Sequence, residues 1–213
     1  MFFKLPFLTG KRDNEAPVVG DDRQQMVDTL HGKHYQDTLR GRVFCIATTP
    51  LGLDLPIYTA TDLVGGCPIW NPGGSGVNVE LIKLNVGRTS GVTAFGNVGL
   101  QAKKVGLASL GTGLTVFTEG VANNCLFGAG NASQVKVCNV TGATVTAGVA
   151  GQSIRSLFPI SPLIDTTAAD QSAKEFDFDG TLIMPPGTIV YVSCTKASVA
   201  LFQVSWVWKE IPI

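Results

Sequence analysis

Three acidic residues share one short stretch, Glu175-Phe-Asp-Phe-Asp179, and are the first candidates for chemistry. In a β-strand, alternate residues share a face, so the three carboxylates form a stripe opposite the two phenylalanines. Such a stripe can bind Ca²⁺, which prefers carboxylate oxygens. We favour a solvated strand face, because no Asp-rich loop of the EF-hand type accompanies it. A glycosidase would need a second carboxylate across an aromatic groove, and the chain has only three Trp and three Tyr.

Two histidines stand three apart, at positions 31 and 34, on a predicted helix. This spacing can put both rings on one helix face. A metal site would then need Asp28 or Asp37 as a further ligand, and polar helix residues at an interface are the alternative that we favour. No hydrolase set of nucleophile and base is expected, because both histidines precede the β-rich region and the chain contains no G-x-S-x-G.

The five cysteines are odd in number, scattered and without a C-x-x-C pair. They fit reduced thiols that serve as small core residues in a cytosolic protein, and their spacing does not match a zinc site. The glycine clusters lack the lysine of a phosphate-binding loop and read as turns. We therefore predict that the chain is not an enzyme and has no cofactor site and no metal site.

The overall charge argues against nucleic acid as the partner. Lys+Arg and Asp+Glu are both 16, so the chain offers no basic footprint for a phosphate backbone. Charged residues make up only 15% of the chain, where about 25% is usual. Either a Ser/Thr/Asn-rich surface replaces the charges, or much of the surface is buried against copies of the chain or against a partner. We favour the second interpretation.

No membrane or export segment is expected. The first eight residues are apolar, but Lys4 and Pro6 interrupt them, and Lys11 and Arg12 soon follow. No stretch approaches the roughly 18 apolar residues needed to cross a bilayer.

The charges divide the chain into two predicted regions. Of the 32 charged residues, 13 lie in residues 1–42, whereas Gly106 to Ser153 contains only Glu119 and Lys136. Residues 1–41 are predicted to form a docking segment, with an extended arm over 1–20 and a helix over Asp21–Leu39 that Gly41 ends. The predicted partner-binding residues are Phe2, Phe3, Leu5, Phe7, Leu8, Met26, Leu30 and Tyr35.

Residues 42–213 are predicted to be an all-β domain. Short runs of Val, Ile, Thr, Leu and Phe alternate with Gly, Pro and Asn clusters. The predicted strands are Val43–Thr48, Leu55–Tyr58, Val79–Gly87, Val92–Leu100, Leu114–Phe117, Gln134–Val140, Ile154–Phe158, Lys174–Asp179, Thr181–Met184, Thr188–Thr195 and Ala200–Lys209. Such a series favours an antiparallel β-sandwich of the jelly-roll type.

The last predicted strand alternates most clearly. Phe202, Val204, Trp206 and Trp208 fall on one face. We expect this strand to lie in the middle of a sheet, because a long apolar edge would invite aggregation.

Three phrases of the sequence resemble the β-rich virion proteins of tailed bacteriophages: LHGKHYQDTLRGRVF, PIYTATDLVGGCPIWNPGGSGVNVELIKLNVG, and the closing MPPGTIVYVSC with FQVSWVWKEIPI. The Pro-Pro-Gly hairpin before an aromatic strand is similar to the end of jelly-roll decoration and spike-base domains. The resemblance covers residues 29–88 and 181–213. It implies a subunit, usually trimeric, on the capsid surface or at a tail or vertex attachment point, assembled in the host cytoplasm.

The sequence thus predicts a capsid decoration or cement protein. The arm and helix are expected to dock on the major capsid protein or another virion protein, and the β domain to form a homo-oligomer, most simply a trimer. The alternative is a tail or spike-base module that recognises a host glycan or another virion protein. Trp70, Asp177 and Asp179 would then form its shallow site.

Overall fold

The computed structural model describes residues 32–58, 66–90, 96–104, 114–116, 120–127, 130–138, 144–145, 152–160, 173–195 and 200–213. The chain divides into two compact units, residues 1–35 and 36–213. Of the first unit only residues 32–35 are among those described, so the account below concerns the second.

The described residues form one short helix and fourteen strands. The helix is α1 (Tyr35–Leu39). The strands are β1 (Val43–Ala47), β2 (Leu53–Asp54), β3 (Ile69–Asn71), β4 (Val77–Ser90), β5 (Gly96–Lys104), β6 (Leu114–Val116), β7 (Asn123–Asn124), β8 (Lys136–Val137), β9 (Thr144–Val145), β10 (Gln152–Ile160), β11 (Lys174–Asp177), β12 (Ile183–Met184), β13 (Thr188–Cys194) and β14 (Leu201–Pro212). The predicted all-β class is confirmed.

The strands build two main antiparallel sheets. The larger sheet has the order β11-β4-β14-β1-β7, with β12 paired to β4 and β2 paired to β14. The smaller sheet has the order β10-β5-β13-β3-β8, and β6 pairs with β9 separately. One cluster of buried apolar side chains draws on both main sheets, and this cluster is the core.

Four strand pairs are nested one inside the next. They are β1 with β14, β3 with β13, β4 with β11, and β5 with β10. The outermost pair sets Val43 opposite Lys209, and the innermost sets Gly96 opposite Ile160. The two halves of the chain therefore run beside each other as one long hairpin, whose closed end is the connection 105–151.

Strand β14 is the central strand of the larger sheet, as predicted. It pairs with β4 on one side and β1 on the other. Its alternate residues Phe202, Val204, Trp206 and Trp208 are all buried. Trp208 stacks on Phe44 with ring centroids 6.0 Å apart, and the indole N–H of Trp206 donates to the carbonyl of Cys67 at 2.8 Å.

The predicted helix Asp21–Leu39 is wrong over residues 32–34, the first of its residues that the structure describes. Residues 32–34 form a turn, and the helix begins only at Tyr35. Gly32 has poor helix propensity, which favours a break there, and residues 21–31 lie outside the described residues. The predicted end is confirmed: Gly41 has a φ of 66°, its N–H donates to the Thr38 carbonyl, and the Arg42 N–H donates to the Asp37 carbonyl.

Several strand boundaries differ from prediction. Strand β3 was not predicted because it has three residues between two prolines, too few to show alternation. In place of the predicted strand Leu55–Tyr58 the structure has β2, two residues earlier, and a single bridge at Ile57. Strand β5 continues beyond the predicted end at Leu100 to Lys104. Its last two residues are lysines, which do not predict a strand, yet Lys103 is buried.

Replacing Trp206 with phenylalanine is expected to lower the free energy of unfolding by about 2–4 kcal/mol. The change leaves a cavity and removes the partner of the Cys67 carbonyl. The control is Val207→Ala, the half-buried neighbour on the opposite face, with an expected loss of about 1 kcal/mol or less. Urea denaturation measures both, and equal losses would contradict the role given to the indole.

Candidate partner-binding surfaces

Seven of the eight predicted partner-binding residues (Phe2, Phe3, Leu5, Phe7, Leu8, Met26 and Leu30) lie outside the described residues. Their role stays a prediction. The eighth, Tyr35, opens α1 and is 40% exposed.

The acidic stripe has a structural role. Glu175 and Asp177 are exposed on β11, as alternation predicts, and Phe178 on the opposite face is buried. The Glu175 carboxylate accepts a hydrogen bond from Lys83 Nζ at 2.7 Å. Asp179 lies in the turn after the strand, and its N–H donates to the Asp177 carboxylate at 3.0 Å. Across the described ranges, no three His, Cys, Asp or Glu side chains are grouped so as to hold a metal ion.

The glycan site of the alternative prediction is not assembled as expected. Trp70 is only 1% exposed, so its ring cannot stack on a sugar, and this part of the prediction is wrong. The ring is buried because Trp70 pairs with Ile189 on a covered face of the smaller sheet. Asp177 belongs to the larger sheet, so the structure does not bring these residues together in one site.

Both faces of the three central strands of the smaller sheet, β3, β5 and β13, are largely buried, whereas the edge strand β10 is mostly exposed. One face contributes Val190 and Val192 to the core. The opposite face carries Trp70, Gln101, Lys103, Ile189, Tyr191 and Ser193, all of them buried. Burial, with a smaller contribution from Tyr58, raises the pKa of Tyr191 to about 12. The central strands of this sheet therefore offer a partner little surface, and its accessible residues lie mainly on β10.

The larger sheet, by contrast, has an accessible outer face. Its centre consists of small uncharged residues on three neighbouring strands, which we call the neutral face: Ala47, Asn85, Gly87, Gln203, Ser205 and Val207. All six are half-buried or exposed. A shallow depression of about 190 Å³ lies within it.

Ion pairs engage the lysines at the margin of the neutral face. Lys83 contacts Glu175 on one side. On the other, Lys209 Nζ lies 2.6 Å from a Glu80 carboxylate oxygen and 3.3 Å from one of Asp37. Burial alone would lower the pKa of Lys209, but the hydrogen bond to Glu80 and the charges of Asp37 and Glu80 outweigh burial and raise it.

A second surface is a groove of about 730 Å³, which we call the Arg40/Arg42 groove. Its lining comes from the segment after α1, the ends of β4 and β14, and residues 131–134: Arg40, Gly41, Arg42, Phe44, Val77, Asn131, Ala132, Gln134, Glu210 and Pro212. The volume is within the range of ligand clefts, about 300–1,000 Å³.

The carboxylate of Glu210 in this groove is engaged within the protein. Glu210 is 6% exposed. It accepts hydrogen bonds from the Ser133 hydroxyl and from the backbone N–H groups of Gln134 and Val135. These donors satisfy the buried charge and tie residues 133–135 to β14.

The two arginines of the groove are available for a ligand. Both are exposed, and in the part of the chain that the structure describes neither guanidinium forms an ion pair or a side-chain hydrogen bond. Hydrogen bonds within the protein already satisfy the Glu210 carboxylate. The two arginines therefore give the groove a preference for a negatively charged ligand. Sequence reasoning missed this site because Arg40, Arg42 and Glu210 are distant in the chain and belong to no motif.

No known protein-family model matches this sequence, and a search of the curated proteins returned no match either. No helix among the described ranges has the length and apolar character to cross a membrane.

We expect Lys209 and Glu80 to show a coupling energy of about 1 kcal/mol in a double-mutant cycle at pH 7. The variants are Lys209→Met, Glu80→Gln and both together, compared by urea denaturation. Because the folded pKa of Lys209 is raised, the contribution is present below the usual lysine pKa of about 10.4 and is lost as pH rises through the raised value.

The matched control for this cycle is the exposed pair Lys83 and Glu175. Solvent screens this pair, so its coupling should be clearly smaller than that of Lys209 and Glu80. A Lys209–Glu80 coupling no larger than that of the control pair would contradict a stabilising ion pair between these two side chains. So would a coupling that persists at a pH well above the raised pKa of Lys209.

Proposed function

We propose that the two sheets form a jelly-roll sandwich. Its eight principal strands, numbered along the chain, are β1, β3, β4, β5, β10, β11, β13 and β14. The larger sheet then has the order 6-3-8-1 and the smaller sheet 5-4-7-2. Such an order arises when a hairpin of four nested strand pairs is rolled so that alternate pairs join the same sheet, which is the jelly-roll arrangement.

We further propose that the protein is a structural subunit of a tailed-bacteriophage virion, a capsid decoration or cement protein that forms homo-oligomers. The observation that carries this proposal is the neutral face. Among the described residues it is an accessible sheet face, its centre has no charge, and the lysines at its margin are paired with acids. A surface of this kind meets its own copy without like-charge repulsion, as a symmetric interface requires.

The composition supports the same conclusion. A monomer in solution keeps apolar patches small and usually carries a net charge. This chain has a formal net charge of zero and 15% charged residues. Burial of the neutral face against other copies removes uncharged surface from water. The assembled protein then needs neither a net charge nor a high content of charged residues.

The division of labour follows the two predicted regions. Residues 42–213 make the neutral-face contacts between subunits, and residues 1–41 dock on the shell, most directly on the major capsid protein. Binding is therefore the whole activity, and no catalytic step is required. The acidic stripe supports this interpretation, because its carboxylates pair with Lys83 and shape a turn.

Replacing Ser205 with arginine is expected to weaken oligomer formation by about tenfold or more, because like charges then meet across the interface. The matched control is Ser156→Arg on exposed strand β10, which should leave the oligomer unchanged. Light scattering over a range of protein concentrations measures both. An oligomer that tolerates Ser205→Arg as well as the control would show that the neutral face is not the interface.

Removal of residues 1–20 is expected to abolish binding to phage particles while the β domain stays folded. The arm carries the docking contacts, whereas the core lies in residues 43–208. Co-sedimentation with particles measures binding, and circular dichroism confirms the fold. Full occupancy of particles by the truncated protein would exclude the arm as the docking element.

A further inference from the structure

The Arg40/Arg42 groove has the chemistry of a carboxylate-binding site. Each guanidinium can donate two parallel hydrogen bonds to one carboxylate, and such forked pairs combine charge with geometric specificity. The neighbouring side chains of Asn131 and Gln134 can pair with the backbone of an extended ligand, while Val77 and Pro212 supply an apolar wall. Together these groups suit an acidic peptide segment with an apolar centre better than a small inorganic anion.

The chain itself contains one segment of this description. Residues 13–22, with the sequence DNEAPVVGDD, have four carboxylates and neither Lys nor Arg. The acids stand at the two ends, and Ala-Pro-Val-Val lies between them. No other ten-residue stretch without Lys or Arg holds as many acids. The segment lies outside the described residues, so its occupancy is argued from its chemistry.

We infer that the Arg40/Arg42 groove of each copy binds residues 13–22 of a neighbouring copy. Each chain offers one acidic segment and one basic groove, so the contact is head-to-tail and closes into a ring when the rotation permits. A ring of three copies uses every segment and every groove once. This inference builds on the homo-oligomer in the proposed function and adds a second contact, distinct from the neutral face.

The test uses the full-length protein and two charge-reversed variants. The groove variant carries Arg40→Glu and Arg42→Glu. The segment variant carries Asp13→Lys, Glu15→Lys, Asp21→Lys and Asp22→Lys. Each variant alone should associate at least tenfold more weakly than the unmodified protein, because its segment and groove now repel. In an equimolar mixture the two variants should bind each other, because each groove then meets a segment of opposite charge on the other variant. Alternating copies close only rings with an even number of members, so the readout is this contact between variants and not recovery of a trimer.

Association is measured by light scattering against concentration and by co-purification of one tagged variant with the other. The control reverses two exposed charges outside the groove, Lys104→Glu and Arg155→Glu, and should associate like the unmodified protein. Urea midpoints establish that every variant is folded.

Two outcomes would overturn the inference. If each variant alone associates like the control, the groove does not bind the segment. If each variant is weakened but the two variants do not co-purify, the groove takes the segment of its own chain or another ligand. Co-sedimentation of the segment variant, which keeps the apolar residues at the start of the arm, tests shell binding separately from this contact, so failure of the contact and failure of the proposed function can be distinguished.

Discussion

The ladder between β4 and β14 is the interaction on which the remaining structure depends. It runs from Leu201 opposite Ser90 to Pro212 opposite Val77. Because side chains alternate along a strand, one register puts the two buried tryptophans in the core and Lys209 on the outer face. A register shift between Val207 and Trp208 leaves Ile82 without a partner residue in β14. This bulge allows both Leu81 and Leu84 to be buried although they are three residues apart.

The long connection 105–151 covers one edge of each main sheet. A sheet edge with unpaired N–H and C=O groups invites pairing with another chain. Two pieces of the connection return to cover such edges: β7 pairs with β1 in the larger sheet, and β8 pairs with β3 in the smaller one. Asn124 reinforces the first contact, because its side-chain amide donates to the Gly41 carbonyl at 2.8 Å. Among the described residues, β11 in the larger sheet and β10 in the smaller one remain edge strands.

The sequence predicted those features that depend on local physics. Alternation located β11 and β14 and their buried faces, and Gly41 marked the end of α1. Strand β3 could not be predicted, because three residues between prolines have no period and their pairing with β13 is a long-range contact. The two buried tryptophans of β14 were assigned correctly from alternation, whereas Trp70, without such a pattern around it, was placed on the surface.

The candidate site was less predictable than the fold. The paired charges Lys209, Glu80 and Asp37 come from three elements that only the sheet register brings together. The Arg40/Arg42 groove likewise joins residues about 170 positions apart in the chain. Composition predicted that surface is buried against a partner, but only the structure distinguished the covered central strands of the smaller sheet from the accessible face of the larger one.

The nested pairing has a consequence for synthesis on the ribosome. Strand β14 lies between β1 and β4, so those two strands have no common partner until residues 201–212 have emerged. The same residues supply Glu210 and Pro212 to the Arg40/Arg42 groove. A chain without residues 201–212 therefore lacks the central strand of its larger sheet and part of the lining of the Arg40/Arg42 groove. The larger sheet can close only after these residues have emerged, whatever part of it forms earlier.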